Sequence, residues 1–217
     1  MGLIEKTSHM DYWNVNHGAL RKTTNEDDPM AEKREYTTRD GEKKVIYEIV
    51  KKGVSGYIDK VEITDGKFGK QFLVYVKDVD EFCIQMPWDS SEAMSICEKL
   101  RGVDIAKEVE ILPYHFVPKG STKVKRGVNL IQGDTKIKNY YVVFDADGKV
   151  VEYKHGLPNA EGNQTMETED WKILFAQQRK FFRDEVVYKF PFIDIDEGAV
   201  KGATQDKEPK KEDDLPF

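Results

Sequence analysis

The chain has 217 residues, of which 39% are hydrophobic and 34% are charged, and its formal net charge is −6. This length fits one ordinary domain with extensions and allows a substantial core. No apolar run approaches the roughly 20 residues of a membrane-spanning helix, and no secretion signal begins the sequence, so we expect a cytoplasmic protein without membrane contact. Its two cysteines, Cys83 and Cys97, are too few and too far apart for a metal knuckle or a redox pair.

Residues 1–44 are mostly polar and are predicted to form an N-terminal arm or short hairpin that lies on the domain, followed by a linker. A few apolar side chains, among them Trp13 and Leu20, can anchor the arm on the domain. Residues 23–41 are charged and rich in turn formers, which favours a mobile link.

From residue 45 the pattern changes to that of β-strands. Within the second strand the alternation changes phase, because Val54 and Ile58 share one face whereas Val61 and Ile63 share the other. A phase change beside glycines predicts a bulged and strongly curved strand. Further strands are predicted at residues 72–76 and 82–88.

A helix is predicted directly after these strands. Asp89 and Glu92 have the spacing of a capping box, and apolar residues then repeat at helical spacing as far as Leu100. Strands follow at residues 109–112 and 128–131, on either side of a loop. Three strands, a helix and two strands are the order of an OB-fold, a five-stranded Greek-key barrel.

Two more elements are predicted beyond this minimum. Residues 140–144 and 150–153 flank an Asp-Ala-Asp-Gly turn and predict a β-hairpin. A long helix is predicted with Thr168 as its cap, and we expect its apolar stripe to pack on the barrel, with a dimer interface as the alternative. The stripe consists of Trp171, Leu174, Phe175, Gln178 and Phe182. The predicted fold is mainly β with flanking α-helices: an OB-fold domain over residues 45–193 with an added hairpin and a long C-terminal helix.

Residues 194–217 hold eight acidic residues and four lysines, so they account for most of the negative charge. They contain too few apolar side chains to offset the entropy of ordering, which predicts a disordered acidic tail. Its tip combines carboxylates with two apolar side chains around a proline, as a short peptide ligand for a basic, apolar pocket does. The tip residues are Asp213, Asp214, Leu215, Pro216 and Phe217.

Motifs for catalysis are absent from the sequence. The four histidines occur in unrelated segments without partners at metal or triad spacing. The segment from Gly66 to Lys70 lacks the form of a phosphate-binding loop, and no dinucleotide fingerprint follows a strand. We therefore predict that the protein is not an enzyme and uses neither a cofactor nor a metal.

Features for binding are better placed. In an OB-fold, the ligand crosses strands two and three between two loops, and the second loop, at residues 113–127, is basic and free of acids. Residues 117–144 carry six basic side chains and one acidic side chain. Cations beside aromatic rings suit single-stranded nucleic acid, because cations follow the phosphates and bases stack on the rings. The predicted nucleic-acid-binding residues are Lys67, Phe68, Lys70, Tyr75, Lys119, Lys123, Lys125, Arg126, Lys136, Lys138, Tyr140 and Tyr141.

The tip resembles the Asp-Asp-Ile/Leu-Pro-Phe tail of single-stranded DNA-binding proteins of the bacterial replication type. The arm, the added hairpin and the C-terminal helix depart from that family, and the chain is more similar to phage-encoded single-stranded DNA-binding proteins, which would act in the bacterial host cytoplasm. This resemblance implies sequence-independent coating of single-stranded DNA in replication, recombination or repair, by a monomer or homodimer. It also implies that the tip recruits partner proteins. The alternative is a protein-binding OB adaptor without nucleic-acid affinity.

Overall fold

The computed structural model describes residues 10–38, 40–160 and 166–192. Within these ranges the protein is mainly β, with one large mixed sheet, a separate hairpin and two α-helices. The strands are β1 (Asp11–Asn16), β2 (Ala19–Thr24), β3 (Glu32–Thr37), β4 (Lys43–Lys51), β5 (Val54–Gly66), β6 (Gly69–Lys77), β7 (Glu81–Pro87), β8 (Val109–Phe116), β9 (Lys125–Gln132), β10 (Thr135–Lys136), β11 (Val142–Phe144) and β12 (Val150–Tyr153). The helices are α1 (Ser91–Leu100) and α2 (Thr168–Phe182), and a π-helical turn (Arg183–Val187) continues α2.

The large sheet has the strand order β10-β9-β8-β5-β6-β7-β1-β2-β4-β3. Its central strands β9-β8-β5-β6-β7 pair antiparallel, with α1 connecting β7 to β8. The sheet does not close on itself, because the free side of β7 pairs in parallel with β1 and not with β9. The mainly β class is therefore confirmed, whereas the closed five-stranded barrel is not.

β5 contains the predicted bulge. Ile58 pairs with Val76 but Lys60 pairs with Tyr75, so that Asp59 is the extra residue. Gly56 has φ +153°, and a Cβ atom placed on it would lie 2.8 Å from the carbonyl oxygen of Lys77. The bulge, together with the close approach of Gly56 to β6, bends β5 strongly. The bend lets β5 pair with β8 at its start and with β6 along the rest of its length.

The described residues before β5 form the hairpin that was one expectation, and the segment expected as a link pairs into the sheet. β1 and β2 form a hairpin, β3 and β4 pair beside it, and β4 pairs with β2 and not with the β5 strand that follows it. Trp13 on β1 is 5% exposed and anchors the hairpin in the core. The segment expected as a link thus contains a strand, because β3 pairs antiparallel with β4, the next strand in the chain.

The turn of the β1–β2 hairpin reaches across to β8. His17 and Gly18 both have positive φ angles, +50° and +72°, as a two-residue hairpin turn requires. A Cβ atom on Gly18 would lie 2.6 Å from the backbone nitrogen of His115 on β8. The sheet therefore curves far enough to bring the turn between β1 and β2, the fourth and fifth strands along from β8, against the end of β8.

α1 is fixed at its start and along its length. Its N-cap is Ser90, whose hydroxyl accepts a hydrogen bond from the Ala93 amide at 3.1 Å, one residue after the Asp89 cap that the sequence predicted. Ser95 Oγ bonds both the amide and the carbonyl of Val128 at 3.1 Å and so ties the helix to β9. Lys99 donates to the Ser95 carbonyl at 2.7 Å, and burial lowers the pKa of Lys99 to about 8.

α2 packs on the body along only part of its predicted stripe, and its N-cap is Glu167 and not Thr168. Phe182 is buried, as is Leu174, but Trp171 and Phe175 are 44% and 48% exposed and stack on each other at 5.8 Å. The expectation that the apolar stripe packs on the sheet is therefore met only in part, because Trp171 and Phe175 stay exposed beside the buried Leu174. Neither α-helix is long and apolar enough to cross a membrane.

A buried carboxylate joins the outer strands. Glu48 on β4 is 6% exposed and accepts hydrogen bonds from Arg34 at 2.8 Å and Arg21 at 3.0 Å. Burial alone would raise the pKa of Glu48, but the bonds from the two guanidinium groups outweigh burial and hold it below its ordinary value. The network therefore stabilises the fold above the unfolded pKa of about 4.3, and this stabilisation is lost as the pH falls through the folded pKa.

We expect Glu48→Gln to lower the free energy of unfolding by about 1–3 kcal/mol at neutral pH, since it leaves two guanidinium groups without their anion. Urea unfolding at several pH values should show a shallower loss of stability for the variant than for the wild type below about pH 5. Glu42→Gln is the matched control, because Glu42 forms only an exposed pair with Lys44 at 3.4 Å. Parallel pH profiles for the wild type and Glu48→Gln would contradict the assigned role.

Candidate nucleic-acid interface

The basic surface predicted from the sequence lies on the β8–β9 hairpin. β8 and β9 extend further than predicted, so the connecting loop is 117–124 and not 113–127. Lys119 and Lys123 lie in the loop, whereas Lys125 and Arg126 begin β9 and face Phe116 and His115 across the hairpin. All four cationic side chains are exposed. We call this group, with the loop that carries it, the basic hairpin end.

The basic hairpin end carries few opposing charges. Within the described ranges, Lys119, Lys123 and Lys125 form no salt bridge, and the loop itself contains no acid. Arg126 is the exception: its Nε lies 3.9 Å from Glu92 and 3.4 Å from the Ser91 hydroxyl, at the first turn of α1. Three cations are thus free to meet an anionic ligand, while the fourth holds the hairpin against the helix.

A cavity of about 620 Å³ opens beside these cations. Its walls come from the start of α1, the end of β8 and the start of β9, and its lining residues are Ser91, Tyr114, His115, Val124, Lys125 and Arg126. The ring centroids of Tyr114 and Phe116 are 5.8 Å apart, and Phe116 is 51% exposed. The cavity therefore offers aromatic and cationic walls together.

Sequence reasoning left three of these residues out of the predicted set. The sequence does not distinguish Tyr114 and Phe116 from its other aromatic residues, and His115 has no partner at metal or triad spacing. The structure supplies that partner, because the His17 ring lies 5.4 Å from the His115 ring at the tip of the β1–β2 hairpin. No sequence signal connects these two histidines, since the curvature of the sheet brings them together.

The predicted first loop is the tight β5–β6 turn. Phe68 at its tip is 90% exposed, and Lys67 Nζ lies 5.4 Å from the Phe68 ring. The carbonyl of Lys70 accepts a hydrogen bond from the Trp88 amide at 2.9 Å, three residues before α1 begins. Since Arg126 contacts the first turn of α1 from β9, the two predicted loops border the same helix N-terminus.

Tyr75 lies on the face of β6 opposite the buried Phe72, Val74 and Val76, as the alternation predicted. It is only partly exposed, and its hydroxyl donates a hydrogen bond to Glu62 at 2.5 Å. Burial, followed by the bond to Glu62, raises the pKa of Tyr75. The neighbouring carboxylate makes this position less suited to phosphates than the basic hairpin end.

The remaining predicted residues do not join this surface. Lys136 pairs beside Ile131, which is six residues along β9 from Lys125 and hence about 20 Å away. Lys138 follows β10 at the same end. Tyr141 is 1% exposed among aromatic rings, so it cannot present a face to a base, and Tyr140 is already stacked on His155 at 4.3 Å.

The remaining predictions from the sequence concern the two cysteines, metal sites and the acidic tail. Both Cys83 and Cys97 are buried, and burial raises the pKa of Cys83 to about 11. Among the described residues, no group of three or more His, Cys, Asp or Glu side chains is placed to hold a metal ion. The predicted acidic tail, including the tip at residues 213–217, lies outside the described residues.

Comparisons of the chain with known protein families, with curated proteins and with solved structures each found no match.

Proposed function

We propose that the protein binds single-stranded nucleic acid without sequence preference, in particular single-stranded DNA, and that the basic hairpin end is its main contact. The observation that carries this proposal is a group of three lysines beside the half-exposed ring of Phe116, Lys119, Lys123 and Lys125, which form no salt bridge with any described residue. Exposed cations without local anions in an acidic protein suit a polyanionic ligand.

The proposed binding mode follows from the chemistry of these side chains. Lysines contact the phosphates, and bases stack on Phe116 and on Phe68, with each stacked base contributing about 1–3 kcal/mol. Neither type of contact reads the base identity, so binding tolerates any sequence. The common border of both loops at the start of α1 supports one continuous path for the strand.

We further propose that the core is a variant of the OB-fold. The pairing β9-β8-β5-β6-β7, the bulge in β5 and the helix between β7 and β8 support this interpretation. In this variant β1 occupies the parallel position beside β7 that would otherwise close the barrel. On the same proposal, the acidic tip recruits proteins of replication, recombination or repair, which rests on its Asp-Asp-Leu-Pro-Phe sequence alone.

Titration of the full chain with fluorescent oligo-dT at two salt concentrations tests the binding proposal. We expect tight binding at low salt, with log K falling linearly against log salt at about 0.7 per phosphate contact. For about three to five contacts, the slope is then about −2 to −3.5. Oligo-dA and oligo-dC should bind within about tenfold of oligo-dT, since stacking tolerates every base.

Failure to bind oligo-dT at low salt would exclude the proposed function. Binding that does not respond to salt would exclude the basic hairpin end as the contact. The alternative function is that of a protein-binding adaptor. It predicts that the protein does not bind oligo-dT at low salt and that the purified protein releases no nucleic acid when the salt concentration is raised.

A further inference from the structure

A second pocket lies away from the basic hairpin end, between the start of the β11–β12 hairpin and the end of α2. Its volume is about 140 Å³, and its lining residues are Arg101, Tyr140, Tyr141, His155, Phe181 and Glu185. This volume exceeds that of a single water molecule, about 30 Å³. The pocket is open to solvent on the side of His155, which is exposed.

Tyr141 lines this pocket, and its buried hydroxyl has no hydrogen-bond partner among the described residues. The side chain is 1% exposed and is held edge-on by the rings of Phe181 at 5.4 Å and Phe182 at 5.5 Å. The backbone amide of Tyr141 is also fixed, by the Asn139 side chain at 2.8 Å. These contacts hold the ring in place, and a buried hydroxyl without a partner destabilises the fold unless a ligand satisfies it.

The other polar groups of the pocket are mainly donors. Arg101 follows the end of α1, packs its guanidinium 4.6 Å from the Phe192 ring, and forms no salt bridge within the described ranges. A guanidinium can only donate hydrogen bonds, so it cannot accept the phenol hydrogen. Burial raises the pKa of Tyr141 to about 12, which keeps the phenol protonated and able to donate at neutral pH.

The charges around the pocket leave room for an anion. Glu185 is the acidic residue of the lining, and its carboxylate is paired with Lys189 on the next turn. His155 has a positive φ of +56° and stacks on Tyr140 with an interplanar angle of 17°, which fixes its ring at the entrance. A guanidinium, a phenol and an imidazole thus converge on one small space.

We propose that this pocket binds a phosphate group, with Arg101 as the charged partner and the Tyr141 hydroxyl as a buried donor. A tetrahedral oxyanion has enough acceptor oxygens to meet three donors from different directions, and Arg and hydroxyl groups are common phosphate ligands. The phosphate belongs either to a nucleic-acid strand or to a small free molecule. This inference does not depend on the function proposed for the basic hairpin end.

Amide NMR of the full chain, titrated with sodium phosphate against sodium chloride at equal ionic strength, tests the proposal. We expect saturable shifts at Tyr140, Tyr141 and His155, together with a rise in the unfolding temperature. Tyr141→Phe keeps the ring and removes the donor, so phosphate affinity should fall about tenfold or more. Arg101→Gln should abolish binding, whereas Lys43→Ala, at an exposed position on β4, should bind phosphate as the wild type does.

The source of the phosphate is read from a second titration with oligo-dT. Strand binding predicts that the same amides shift and that Tyr141→Phe weakens oligo-dT; a free phosphate ligand predicts that they do not. The proposal is overturned if no saturable shift occurs at these amides, or if Tyr141→Phe and Arg101→Gln both retain wild-type phosphate affinity. Since phosphate is the probe, this result stays readable if oligo-dT fails to bind.

Discussion

Replacing Lys119, Lys123 and Lys125 with glutamate should weaken oligo-dT binding at least 100-fold at low salt. The variant removes the three unpaired cations of the basic hairpin end and places three anions beside the phosphates. Substituting the same lysines with alanine should also lower the salt slope by about 2, since each single-strand phosphate contact contributes about 0.7. Arg126 is left intact, because a carboxylate there would lie against Glu92 and disturb the start of α1.

The matched control reverses three lysines at the far edge of the sheet. These exposed lysines on β3 and β4 are Lys33, Lys43 and Lys44. Their replacement by glutamate changes the net charge of the protein by the same amount as the first triple variant does. We expect this control to weaken binding by less than about tenfold through the long-range field alone. Equal losses in the two triple variants would mean that net charge, and not the basic hairpin end, governs binding.

Gly18→Ala should lower the free energy of unfolding by about 3 kcal/mol. The positive φ of +72° costs an L-residue about 1 kcal/mol or more. A Cβ atom would also lie 2.6 Å from the backbone nitrogen of His115 and 3.0 Å from Tyr114, so the β1–β2 turn must move off β8. Urea unfolding followed by circular dichroism measures this loss.

Gly120→Ala separates the two causes. Gly120 has a similar φ of +79°, but a Cβ atom there would meet nothing within 4 Å. We therefore expect a loss of only about 1 kcal/mol, from the backbone conformation alone. If both variants lose the same amount, the contact between the β1–β2 turn and β8 does not stabilise the protein.

Local patterns in the sequence predicted the elements and their faces well. The helical repeat through Ile96 and Leu100 gave α1 to within a residue, and the alternation through Phe72, Val74 and Val76 gave the buried face of β6. The parallel pairing of β1 with β7 was not predicted, since polar strands with few apolar side chains carry no signal for a distant partner. The exposure of Trp171 and Phe175 was not predicted either. Helical spacing indicates an apolar stripe on α2, but it does not indicate how far the body of the protein extends beneath the helix.

The sequence predicted which residues form the candidate site better than it predicted where they lie. Lys119 to Arg126 stood out because a basic loop in an acidic chain is unusual, and the structure keeps them together. Lys136 and Lys138 follow them closely in sequence, but an eight-residue strand carries the chain away from the loop. Tyr140 and Tyr141 are adjacent in sequence and differ in burial, which depends on packing against Phe181 and Phe182 from α2.

The parallel pairing of β1 with β7 has a consequence for the order of folding. Asn14 on β1 is bonded to Gln85 on β7, although the two residues are 71 positions apart in sequence. Closing so long a loop costs entropy before any pairing is gained, and such distant contacts slow folding. We therefore expect the local β5–β6–β7 meander to form first and the β1–β2 hairpin to dock afterwards, so the contact of Gly18 with β8 is completed late.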